Sequence, residues 1–280
     1  MINQINTRWW HRLNAASRLA LVMGGNPFAT LPLINEYPKS GGSWMAQMLA
    51  EALEIPFPRN RLPLLRSSIL HGHYRAERVR LPSAMVWRDG RDVMVSLYFH
   101  RLGENNFSST AARQAARQAL GIDDPEDVER YLPRFIELVV RGETHPWYHW
   151  GDFVENWQNH PRLVAEVKYE DMLRDSANAL MHVSKAFGHP LDHARAAEIA
   201  TRFSFQSQAK RVPGQEETSS YLRKGVAGDW KSKFSQEARE VFDHHMGHAL
   251  VTLGYEVDNS WVGRGGRSST LQRKCKDQTR

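Results

Sequence analysis

One cysteine, Cys275, stands among 280 residues. That rules out an internal disulfide and agrees with a reducing compartment. Long apolar runs are missing too. The longest, such as Leu19 to Met23, fall far short of the roughly 20 residues a membrane-spanning helix needs, and no convincing leader-cleavage site accompanies that stretch. A cytoplasmic protein without a transmembrane segment is expected. No internal repeat is visible, so the chain is not a repeat array. Net charge is also scarce outside one segment. The chain carries +6 at neutral pH, but residues 259–280 hold six Lys and Arg against Asp277, leaving 31 basic and 30 acidic residues before them. A nearly neutral body argues against specific nucleic-acid binding, and the Gly-, Ser- and Thr-rich basic tail reads as disordered.

What is present is enough apolar sequence, 41% of the chain, for one substantial core. β-rich runs alternate with longer helical ones, which predicts an α/β fold: a single domain with a central parallel β-sheet flanked by helices. Three strand-to-helix units stand out. Leu31 to Tyr37 leads into a helix from about Ser43 to Leu53. Ala84 to Trp87 turns at Asp89-Gly90 into a helix through Val93 and Tyr98. Leu163 to Tyr169 precedes a helix from about Asp175 to Phe187, capped by Asp175 or Ser176 and ended by Gly188. Later helices are expected at about Asp192 to Arg202 and Ser235 to Leu253. Residues 1–30 read as a helical extension, 31–258 as the α/β domain and 259–280 as the basic tail. In the extension, Trp9, Leu13, Ala16 and Ala20 share one face flanked by Arg8, Arg12 and Arg18. That face is expected to pack on the domain, a membrane-surface helix being the alternative.

The chemistry-bearing segments lie where strands hand over to helices. Pro38-Lys39-Ser40-Gly41-Gly42-Ser43-Trp44 is P-loop-like: backbone N–H groups and a helix N-terminus converge on an anion, and glycine allows close approach. Its lysine precedes the glycines, unlike the ATPase and GTPase loop. Arg88-Asp89-Gly90-Arg91-Asp92-Val93-Met94-Val95-Ser96 sets a guanidinium at a strand end and a hydroxyl two turns into the next helix, both able to meet one phosphate. Arg223-Lys224-Gly225-Val226-Ala227-Gly228-Asp229-Trp230 pairs two cations with a glycine. Alone, each is a common turn or basic loop.

Together, from about Leu31 to Tyr255, they resemble the cytosolic-type sulfotransferase family, a bacterial-type member in particular, with its PKSGTTW loop, its Arg-to-Ser segment and its RKGxxGDW signature. The resemblance implies transfer of a sulfuryl group from 3'-phosphoadenosine-5'-phosphosulfate (PAPS) to an acceptor hydroxyl or amine, with no metal. It places Lys39 on the bridging oxygen of the donor, with Ser40, Gly41, Gly42 and Ser43 on the 5'-phosphate. Arg88, Ser96, Arg223, Lys224 and Gly225 fall on the 3'-phosphate, and Trp44, Tyr169, Ser204 and Phe205 around the adenine. Gly42 and Ser43 depart from the family's two threonines, and Phe203 from its adenine-side Thr.

Ile69-Leu70-His71-Gly72-His73 resembles the family's LLKTH segment, which makes His73 the general base and puts His71 where the family has Lys. Either imidazole has the chemistry for proton removal near neutral pH. His73, Lys39 and Ser96 are therefore the catalytic candidates. Two other functions fit a phosphate-binding loop: a nucleotide or small-molecule kinase, and a non-catalytic nucleotide or nucleic-acid binder. His244 and His248, one helical turn apart, lack a third zinc ligand. Phe135, Trp147, Trp150 and Phe153 read as core or acceptor lining. Lys231 to Gln236 with Glu240 resembles the family's dimer motif, with Ser235 and Gln236 weakening it, so a homodimer is allowed but not required. The acceptor, whether small molecule, glycan or lipid, carries no readable signature.

Overall fold

The computed structural model describes residues 2–25, 29–59, 61–103, 110–144, 146–218, 220 and 222–263. In chain order the elements are α1 (Ile2–Gly24), β1 (Leu33–Glu36), α2 (Gly42–Ala52), β2 (Leu70–Gly72), β3 (Ser83–Trp87), α3 (Gly90–Leu102), α4 (Thr110–Leu120), α5 (Val128–Val140) and α6 (Trp150–Trp157). There follow β4 (Leu163–Lys168), α7 (Tyr169–Arg174), α8 (Ser176–Ala186), α9 (His193–Arg202), α10 (Phe205–Ala209) and α11 (Gln236–Thr252).

The four strands run parallel in the order β2-β1-β3-β4. Successive side chains on a strand point to opposite faces, and the residues obey this. Leu33, Met85 and Trp87 enter a core built with α3, α5, α6 and α11, whereas Ile34, Ala84, Val86 and Val167 enter a second core with α2 and α8. The chain leaves β1 for β2 on one side and reaches β3 on the other, so the sheet has its topological switch point between β1 and β3. Ligands of open α/β sheets bind beyond the strand ends at such a point. The loop after β1 carries Lys39, and Arg88 follows β3.

The predicted units are found within a residue or two, with caps where expected: Asp175 accepts the Asn178 N–H to start α8, and Gly188 takes a left-handed φ of 84° just beyond it. Three features differ. Leu70–Gly72, outside every predicted element, is a short edge strand in register with β1, pairing His71 with Ile34. The α1 stripe is not packed on the domain; Trp9, Leu13, Ala16 and Ala20 are all exposed. The folded part also runs past 258: Asn259–Trp261 form a 3-10 turn, and Trp261 is 2% exposed. Arg91 explains that last difference. Its guanidinium lies over Trp230 at 3.8 Å and over Trp261 at 4.6 Å, and it pairs with Asp89 at 2.7 Å and Glu256 at 2.6 Å. A cation–aromatic stack of this kind draws Trp261 out of the tail. Residues 264–280 lie outside those described.

No helix among the described residues is long and apolar enough to cross a membrane. His248 pairs with Glu155 at 2.8 Å and His245 with Glu137 at 3.3 Å. No group of three or more metal-ligating side chains occurs among the described residues. Phe135, Trp150 and Phe153 are core, while Trp147 is 72% exposed.

Candidate active site

A cavity of about 340 Å³ opens beyond the ends of β1, β3 and β4. Lys39, Gly41, Ser43 and Trp44 line it from the first loop, Arg88 and Ser96 from the second unit. Tyr169 and Phe205 form its flat walls, and Arg223, Lys224 and Gly225 close it from the far segment. Three stretches more than forty residues apart in sequence thus meet on one space.

The first loop turns through two left-handed residues, Lys39 at φ 77° and Gly41 at φ 97°. A side chain at Gly41 would put its Cβ 2.7 Å from the Tyr169 ring, so only glycine lets the loop close against that wall. Gly225, at φ 65°, is under the same demand, since a Cβ there would lie 2.4 Å from Phe205. A lysine held left-handed is strained, and such strain gathers where geometry serves function.

Arg88 is placed by its surroundings rather than by its own rotamer freedom. Its Nη1 donates to the Lys39 carbonyl at 2.9 Å, and the guanidinium lies 4.5 Å from the centre of the Tyr169 ring. Asp92, four residues on, accepts the N–H groups of Gly228 at 2.7 Å and Trp230 at 2.9 Å. One carboxylate therefore ties the second unit to the Arg223 segment. Burial pushes the Asp92 carboxyl up from its ordinary value.

Within the Arg223 segment, Asp229 takes hydrogen bonds of 2.5 Å from both Arg223 and Lys224. Burial pushes Asp229 up, but those two bonds outweigh it and hold the carboxyl below its ordinary range. Arg223 also pairs with Glu216. Lys39 moves the other way. Burial first, then the neighbouring Arg88 charge, depress its ammonium to about 8. Crowding cations in this manner costs free energy that a bound polyanion offsets.

Four predicted residues do not line the cavity. Ser40 lies under the loop, its buried hydroxyl without a hydrogen-bond partner. Ser204 caps α10, accepting the Ser207 N–H at 3.2 Å, so its hydroxyl is committed to the helix. Gly42 and His73 belong to a cluster beneath the first loop, whose centre is a residue the sequence reading passed over. That residue is Glu36, 1% exposed at the end of β1. Its carboxylate accepts the Gly42 N–H at 2.6 Å and pairs with His71 Nε2 at 2.9 Å, while its backbone carbonyl accepts from His73 Nδ1 at 3.0 Å. Burial pushes this carboxyl up, but the His71 hydrogen bond, the two imidazole charges and the Gly42 N–H bring it below its usual value.

Glu36 also accounts for the departure at Gly42. A Cβ there would stand 2.8 Å from the Glu36 carboxyl carbon and 3.0 Å from its Cγ. The volume beneath the loop is already occupied. The one hint in sequence is a lone acid, following Asn35, at the end of a strand that opens on Leu33-Ile34. Tyr148 stacks on Phe153 at 5.8 Å and donates its hydroxyl to the His73 carbonyl. His100 completes the neighbourhood. Burial, then the charges of Lys39, Arg101 and His73, lower it to about 3, leaving it neutral at physiological pH.

A doubly wound site of this kind, with five cations and two glycine-bounded walls around one cavity, has the chemistry to suit a phosphorylated nucleotide. The particular family follows from sequence. A model of the sulfotransferase domain matches residues 83–254, more than half of the chain; the protein belongs to the sulfotransferase family and is an enzyme of sulfuryl transfer. Sulfotransferase 1E1 of Cavia porcellus is 25% identical over 260 residues, covering 76% of this chain and 80% of that protein. Among solved structures, mouse sulfotransferase SULT7A1 complexed with PAP superposes with a TM-score of 0.60 at 20% identity, covering 86% of this chain and 91% of that one. Retinol dehydratase in complex with androsterone and inactive cofactor PAP gives 0.56 at 16% identity, with 85% of each chain covered. The family match removes the kinase and the non-catalytic binder as readings of the loop.

Proposed function

We propose that the donor is PAPS and that Lys39, Arg88, Arg223 and Lys224 hold its two phosphorylated ends. The convergence of those four cations with Gly41 and Gly225 on one cavity carries this reading. The residues fit such a donor on the structure's own terms: cations crowd one cavity, with the Lys39 ammonium depressed by burial and by Arg88, and Gly41 and Gly225 let the loops close against the Tyr169 and Phe205 walls where a Cβ would collide. Trp44 and Tyr169, edge to face at 6.2 Å, supply an aromatic border for a base. When bound, the donor supplies an activated sulfuryl group.

Lys39 stabilises the charge that develops on the leaving phosphate, and the arginines raise the local positive potential. His73 takes the acceptor proton. A carbonyl oxygen only accepts, so the contact with Glu36 puts the His73 proton on Nδ1 and leaves Nε2 basic. His71, whose Nε2 meets the Glu36 carboxylate and whose Nδ1 would stay basic in the same way, is the weaker candidate because it falls where the resembled segment carries Lys. This cation array performs the electrostatic work, and a metal ion has no assigned part. The acceptor is a small molecule carrying a hydroxyl or amine. The test is incubation with radiolabelled PAPS and a panel of phenols, alcohols, amines, glycans and lipid headgroups, read by mass shift. Failure to label any acceptor, together with failure to bind adenosine 3',5'-bisphosphate, refutes the donor assignment.

A further inference from the structure

The first helix presents a face that the fold does not use. Trp9, Leu13, Ala16, Ala20 and Met23 follow at steps of four and three residues, forming one stripe along α1. All five are exposed: Trp9 to 65%, Leu13 to 54% and Met23 to 51%, with Trp10 beside them at 58%. The helix is anchored from its other side. Arg18 reaches the carbonyls of Arg59 and Arg61, Val22 is wholly buried, and the Val22 carbonyl accepts the Arg80 N–H at 2.9 Å. An apolar stripe left uncovered on a helix whose orientation is fixed marks an interaction surface.

Charge identifies the partner. The first 35 residues contain no acid, and residues 1–82 carry ten Lys and Arg against four Asp and Glu, a net +6; residues 83–258 carry a net −5. The segments that hold α1 belong to the positive part. Arg59, Arg61, Arg66, Arg78 and Arg80 are exposed on them, along with Leu62 at 37% and Leu65 at 82%. Exposed tryptophan beside arginine suits the boundary between headgroups and acyl chains. A second copy packing stripe to stripe would set arginines against arginines, because α1 has no carboxylate to face them.

We propose that α1 and the arginine-rich segments beneath it dock this protein onto an anionic phospholipid bilayer, with Trp9, Trp10 and Leu13 inserted at the headgroup boundary. Arg59 belongs both to this surface and to the rim of the donor cavity. Docking therefore places the cavity beside the bilayer. The inference stands apart from the donor assignment, which is tested by nucleotide binding alone.

The experiment is co-sedimentation of the full chain with phosphatidylcholine vesicles containing 30% phosphatidylglycerol, against pure phosphatidylcholine. Binding to the anionic vesicles only is expected, released by 0.5 M salt. Trp9→Ala/Trp10→Ala/Leu13→Ala should lower the partition about 100-fold, from three partly buried side chains. Arg12→Glu/Arg66→Glu, which leaves the stripe intact, should lower it by at least about 30-fold. Thermal midpoints and affinity for adenosine 3',5'-bisphosphate should match wild type in both variants. Equal binding to both vesicle types, or wild-type binding by the triple variant, overturns the proposal. So does a dimer in sedimentation equilibrium that dissociates in the triple variant, which would assign the stripe to a second copy.

Discussion

Replacing Gly42 with threonine, the residue that the family loop carries there, should damage this protein although it restores the family pattern. The new Cβ would meet Glu36 at 2.8 to 3.2 Å along three carbons of its side chain. Glu36 cannot yield cheaply, because it is fully buried and bonded to His71 and to the loop itself. Overpacking costs about 1–3 kcal/mol, and partial loss of a buried charge pair about as much again. A total near 2–6 kcal/mol corresponds to a fall in Tm of about 4–20 °C for a chain of this size. Affinity for adenosine 3',5'-bisphosphate should fall with it, since the loop that clashes is the loop that lines the cavity. The assay is a double-mutant cycle by thermal denaturation and calorimetry on wild type, Gly42→Thr, Glu36→Ala and the pair. Glu36→Ala alone should destabilise by leaving His71 and the Gly42 N–H without their carboxylate. In the pair the clash is gone, so the effects should fall short of additive by about 1–3 kcal/mol. Strict additivity, or a Gly42→Thr protein as stable as wild type, refutes the steric account.

Three further outcomes are expected. Because Lys39 sits near 8 in the free protein, a bound polyanion should raise it. Calorimetric titration with adenosine 3',5'-bisphosphate at pH 8.5 in two buffers of different ionisation enthalpy should show proton uptake, and at pH 6.5 almost none, because the ammonium is already charged; Lys39→Arg should abolish the linkage. His73→Ala should cut kcat by about 10²–10⁴-fold with nucleotide affinity nearly intact, whereas His71→Ala should mainly lower Tm by stranding a buried carboxylate; the reverse pattern would move the base to His71. Glu36→Gln should destabilise at neutral pH and progressively less in acid: the native carboxyl is depressed, so its contribution is full above the unfolded value of roughly 4.3 and is lost as pH falls through the native one. A gap in Tm that stays constant from pH 7 down to pH 3 would show that charge is not the reason.

The cavity was readable residue by residue where function is written in short runs. Lys39 and Gly41 lie two positions apart, Arg88 and Ser96 on one strand-to-helix unit, and Arg223 to Gly225 are consecutive. Each run keeps its meaning wherever the fold places it. Glu36 was not readable. It is a single letter whose role depends on the β1–β2 register, which sets His71 opposite Ile34 and brings an imidazole to the carboxylate. Asp92 was likewise noticed only as part of a motif, and its bonds to Gly228 and Trp230 join residues 136 and 138 positions apart.

The stripe on α1 marks the division between the two kinds of information. Periodicity alone specified that Trp9, Leu13, Ala16 and Ala20 share a face, because 3.6 residues per turn is a property of the backbone. Local sequence also specified a parallel α/β sheet, its strand-to-helix units and the cations that line the cavity. Which face of α1 the domain covers depended on contacts far along the chain, from Arg59, Arg61 and Arg80. Those contacts buried Val22 and left the tryptophans exposed. In the same way Arg91 pulled Trp261 out of the tail, and Glu36 filled the space of a missing threonine. Local pattern follows from backbone geometry, but burial is a competition among surfaces from the whole chain, and only the assembled fold resolves it.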